Sequence, residues 1–147
     1  MQERLLGLDY GSKTVGVAAM DALGMTVVPV ETIWRKEENK LRKTCARIEE
    51  LIQELGITGI VLGHPLNMDD TAGDRAKLAE SFAQMLERRS GLKVIMWDER
   101  LTTLEADEIL AENGVNKKDR KKTIDQVAAV LILEDYLGHK KGEACQS

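Results

Sequence analysis

A chain of 147 residues, 43% hydrophobic and 31% charged, is long enough for one domain with a core of its own and too short for two. It holds no apolar run of about eighteen residues, and the first six include Glu3 and Arg4, so neither a membrane span nor a secretory leader is expected, and the expected location is cytoplasmic. Two cysteines, Cys45 and Cys145, exclude a disulfide framework and a cysteine metal site, while a net charge of −4 leaves nucleic-acid attraction to local basic clusters.

In chain order, residues 5–9, 15–20 and 25–33 are apolar or β-branched runs punctuated by "YGSK" and "DALG", which predicts a three-strand antiparallel meander. From 40 to 55 the residues Leu41, Cys45, Ile48, Leu51, Ile52 and Leu55 step by three and four, the stripe of a helix that Gly56 would stop. "TGIVLG" reads as a buried strand, "HPLNMDDTAG" as a loop, 74–89 as a second helix and "LKVIMW" as a further strand. "TTLEADEILAENG" opens with Thr102 and Glu105 at capping-box spacing and ends at Gly114, and a last helix is expected over 123–137, stopped by Gly138. Three strands followed by alternating helix and strand predict an α/β domain over 1–138 built on a mixed five-stranded sheet, with 139–147 a disordered tail.

Several carboxylates stand where apolar residues should. Asp9 closes the first apolar run, and Asp98 with Glu99 follows the strand "VIMW"; if those strands are parallel, the acids emerge at one carboxyl-end edge, where α/β ligands bind. Asp125 shares a helical face with Ala128, Ala129, Ile132 and Tyr136. Each has an ordinary explanation: a turn for Asp9, an ion pair with Arg100 for Asp98, a helix dipole for Asp125. Together they form an oxygen donor set suited to hard divalent cations, Mg²⁺ or Mn²⁺, and paired ions of that kind assist phosphodiester hydrolysis. "VNKKDRKKT" places Lys117, Lys118, Arg120, Lys121 and Lys122 just before the Asp125 helix, where they would guide a phosphate backbone. Lys13 and Arg100 are expected to share that role. Aromatic residues are only 3%, which speaks against a broad base-stacking platform.

The set "GLDYGSKTVGVA", "VLGHPLNMDDTAG", "WDERLTTLEA" and "DQVAAVLILEDYL" resembles, in order and spacing, the YqgF/RuvX family, described both as Holliday junction resolvases and as pre-16S rRNA nucleases. The resemblance implies an RNase H-like fold with Asp9, Glu99 and Asp125 as catalytic metal ligands, Asp98 being the second choice to Glu99. It also implies nucleic-acid partners, precursor rRNA or branched DNA, with ribosomal particles as a further partner and either a monomer or a homodimer. His64 and Asp70 depart from the family pattern, and His64 is expected to be a packing change rather than a ligand. Two readings from other classes stand beside these: half of an actin-like ATPase, from the Asp-x-Gly after a strand, and a non-catalytic RNA-binding assembly factor.

Overall fold

The three N-terminal runs pair with one another in the order in which they occur. In a computed structural model that describes residues 3–11, 13–37, 40–64, 73–98 and 126–139, they form β1 (Leu5–Tyr10), β2 (Thr14–Met20) and β3 (Val27–Trp34), an antiparallel meander. Two later strands, β4 (Gly59–His64) and β5 (Val94–Asp98), add in parallel on the other side of β1. Among the described residues the sheet has five strands in the order β3-β2-β1-β4-β5, as expected. Among the described residues three helices accompany it: α1 (Arg42–Leu55), α2 (Asp74–Ser90) and α3 (126–139).

β3 begins two residues later than the pattern suggested. The Asp21 carboxylate accepts the Met25 N–H at 2.9 Å and the Thr26 hydroxyl at 2.9 Å, so Met25 belongs to the turn rather than to the ladder. β1 runs one residue past Asp9, because Tyr10 is buried and pairs with Val15. The β2–β3 register shifts between Val17, opposite Glu31, and Ala18, opposite Pro29, so Val30 is the extra residue of a bulge on an edge strand.

Strict alternation along the strands divides the core into two layers. Leu6, Leu8 and Tyr10 of β1, with Ile60 and Leu62 of β4, meet Cys45 and Ile48 of α1 and Phe82 and Leu86 of α2 in one buried cluster. Leu5 and Val61 turn the other way and pack with Met20 against Ile132 and Leu133 of α3. α1 ends at Gly56, whose φ of 68° is the left-handed conformation that glycine adopts without strain, and whose N–H closes on the Ile52 carbonyl. α3 runs on to residue 139 rather than stopping at Gly138. The helix expected between Thr102 and Gly114 and the tail beyond 139 lie outside the described residues. No described helix is long and apolar enough to cross a membrane.

Candidate active site

Alternation along β1 settles where Asp9 points. Leu5, Gly7 and Asp9 share the face covered by α3. At Gly7 a Cβ would stand 2.9 Å from the Ala129 carbonyl oxygen and 2.9 Å from the Leu133 Cβ, so the missing side chain is what lets α3 lie directly on the strand. Asp9, two residues further along that face, is half-buried.

The neighbours of Asp9 across the sheet are bare. On β2 it pairs with Gly16, which pairs in turn with Thr32 of β3. On the other side, one step beyond the Leu8–Leu62 pair, it comes level with Gly63, which is opposite Trp97 of β5. Its cross-strand neighbours are therefore two glycines, with Thr32 on β3 and Trp97 on β5 one strand further out. At the Thr32 end of this row Gln126, the first described residue of α3, donates from Nε2 to the threonine Oγ1 at 3.0 Å. At the opposite end of the same face, Met20 and Val27 line one cavity with Leu137. α3 thus runs antiparallel to β1, with Gln126 on the Asp9 row.

The remaining candidates divide sharply. Asp98 is exposed and falls on the Val94 and Met96 side of β5, facing α2, whereas Trp97 turns to α3, its Nε1 donating to Asp135 at 2.7 Å and its ring meeting Tyr136 edge-on at 5.4 Å. Asp98 and Asp9 consequently lie on opposite faces of the sheet. His64, opposite Asp98, also looks toward α2, with its Nε2 3.0 Å from Glu80 Oε1. Lys13 is exposed in the β1–β2 turn, and its carbonyl accepts the Arg35 N–H at 2.8 Å. Glu99, Arg100, Lys117, Lys118, Arg120, Lys121, Lys122 and Asp125 lie outside the described residues. Among the described residues no three His, Cys, Asp or Glu side chains are grouped to hold a metal.

One feature of this edge has no local signature in the sequence. The Tyr10 ring packs on Phe82 at 4.8 Å between centroids, and two guanidinium groups, those of Arg35 at 4.8 Å and Arg75 at 5.6 Å, lie over it. Three separate segments meet there.

An antiparallel meander extended by parallel strands, with an acid on the central strand and a helix that packs across the sheet from beside that acid, is an RNase H-like fold. Solved structures agree. RuvC of T. thermophilus, solved in complex with a Holliday junction substrate, superposes with a TM-score of 0.56 at 12% identity over 94% of this chain and 96% of that one. The fowlpox virus Holliday junction resolvase gives 0.57 at 15% identity, covering 92% and 98%. Residues 3–139 match the family described as "RuvX: Holliday junction resolvase", and the chain belongs to that family of nucleases, hydrolases of phosphodiester bonds. A relative in Lachnospira eligens is 60% identical over 138 residues, 94% of this chain and 99% of its own length, and one in Listeria monocytogenes is 48% identical over 134 residues, 91% and 96%. Both bear the name "Putative pre-16S rRNA nuclease".

Proposed function

We propose that the protein is a divalent-metal-dependent endonuclease that trims the 5′ end of pre-16S rRNA in the cytoplasm, with Asp9, Glu99 and Asp125 holding Mg²⁺ or Mn²⁺. The observation that supports this reading is the Gln126–Thr32 hydrogen bond, which holds Gln126 of α3 on the Asp9 row. Asp125 is the residue before Gln126 in the sequence. Glu99 is preferred to Asp98 because Asp98 faces α2, on the side of the sheet away from Asp9.

The donor set fits hard cations, since all three groups offer carboxylate oxygens and Asp9 is a half-buried acid whose charge such a cation would offset. When bound, paired ions supply charge stabilisation for the attacking and leaving oxygens of the phosphodiester. The chain's own part is positional. Gly16 and Gly63 put no side chain of their own beside Asp9, and Lys13, Arg100 and the basic run Lys117, Lys118, Arg120, Lys121 and Lys122 draw the phosphates in. The names of the relatives support rRNA as substrate; the family description and the junction-bound neighbour favour a second reading, resolution of branched DNA.

Pure protein with Mg²⁺ should cut a precursor rRNA fragment and leave a four-way DNA junction intact, and Asp9→Asn should abolish cutting without lowering the melting temperature. Cutting of the junction alone would transfer the assignment to DNA. Undiminished cutting by Asp9→Asn would remove Asp9 from the chemistry.

A further inference from the structure

We infer that Trp34 is a stacking platform for an unpaired base of the nucleic acid, flanking the phosphate cut at Asp9; the inference rests on the nuclease reading. Ile33 of β3 turns into the core beneath α1 and α2, so Thr32 and Trp34 on either side of it take the opposite face, the one that carries Asp9. Asp9 pairs with Gly16 and Gly16 with Thr32, while Trp34, opposite Thr14, lies one pleat further toward the carboxyl end of β1. Two strand spacings across and two residues along put the Cα atoms of Asp9 and Trp34 about 12 Å apart. The ring is thus too far away to touch the reacting phosphate and near enough to meet a nucleotide beside it.

Trp34 is 66% exposed, although an indole gains much from burial. The other large apolar side chains left exposed do not join it: Leu23, Met25 and Val28 lie at the β2–β3 turn, the far end of the sheet, and Leu78 lies on α2. A single ring standing apart suits one flat ligand, whereas a protein partner would need an apolar patch around it. A base paired and stacked within a helix presents no free face, so the occupant is an unpaired nucleotide. Lys13, next to Thr14, and Lys36, two residues past Trp34, are exposed and place positive charge near the phosphates on either side of that base.

The test follows tryptophan emission and affinity as a short single-stranded RNA, or the same strand annealed to its complement, is added to wild type, Trp34→Ala and Trp34→Phe. Ca²⁺ replaces Mg²⁺ to hold back cutting, because it takes the same oxygen ligands in a looser geometry. The single strand should quench the emission of wild type and of neither variant, since Trp97, the other tryptophan, is held by Asp135 and Tyr136. Trp34→Ala should bind the single strand about five- to a hundredfold more weakly with an unchanged dependence on salt, because a stacked base releases no counterions; Trp34→Phe should recover most of that loss. The duplex should bind all three proteins alike. Wild-type affinity of Trp34→Ala for the single strand overturns the stacking site while leaving the nuclease assignment standing, and if that variant also changes the oligomeric state, the ring belongs to a contact between copies. Failure of the wild-type protein to bind either RNA or a four-way DNA junction overturns the nuclease reading and the stacking site with it.

Discussion

Gln126 and Thr32, ninety-four residues apart, are joined by a 3.0 Å hydrogen bond that ties α3 to the Asp9 row of the sheet. Thr32→Val keeps the side-chain shape and removes the acceptor. The expected cost is about 1 kcal/mol of stability, together with a fall in cleavage rate larger than that loss explains, because the helix head drifts from the Asp9 row. Thr32→Ser should recover both. Thermal melts and single-turnover cleavage on the three proteins check this, and normal cleavage by the valine variant would show that the bond only stabilises.

Gly7 and Gly59 differ in what a methyl group would strike. At Gly7 it meets the Ala129 carbonyl and the Leu133 Cβ, both at 2.9 Å and both rigidly held by α3; at Gly59 it meets only the Cδ2 of Leu5 at 2.9 Å, the end of a side chain that can turn. Gly7→Ala should therefore cost about 1–3 kcal/mol, and Gly59→Ala clearly less. Urea titration of the two variants reads the difference directly.

Asp21 contributes stability that depends on pH. The Met25 N–H, first among its partners, and the Thr26 hydroxyl hold its carboxyl below the ordinary value of 3.8. A depressed carboxyl stabilises the fold above its unfolded pKa and loses that effect as pH falls through the folded one. The stability gap between wild type and Asp21→Asn should thus be widest above about pH 5 and close toward about pH 2. A gap that stays constant across that range would mean the charge on Asp21 is irrelevant to the turn.

Cys45 should behave as an inert thiol. It is fully buried beside Met85, with the two sulfurs 3.5 Å apart, and burial pushes its pKa up, reducing the thiolate that reacts. In a Cys145→Ser background, modification by a disulfide reagent at neutral pH should follow the rate of unfolding and rise with urea. Rapid labelling of the native protein would contradict the packing around α1.

The meander and the stripe of α1 were legible because each leaves a periodic mark, and the turns between them carry glycine or Asp. The apolar pattern extends the third strand to Met25 because it registers apolar residues and not the side-chain acceptor at Asp21 that takes the Met25 N–H. Asp9 stood out as an acid closing an apolar run, but its surroundings did not. Gly16 and Gly63 are distant in sequence, and only strand pairing sets them on either side of the carboxylate. The low aromatic content argued against stacking, yet Tyr10 serves two guanidinium groups rather than a base, a use that no count of rings reveals. Which face of the sheet Asp98 takes depends on where β5 begins and ends, and an apolar run does not locate a strand end to the residue.

The bulge on β3 bears on how this sheet keeps company with copies of itself. β3 is an outer strand, and an added strand laid along it would seek a regular series of N–H groups. Pro29 has none to give, and the extra residue at Val30 throws the series out of step at the same point. Exposed Val28 beside it would otherwise invite fibre-like growth. Replacing Pro29 would open that border to edge-on stacking, so the least regular stretch of the meander acts as its guard against aggregation.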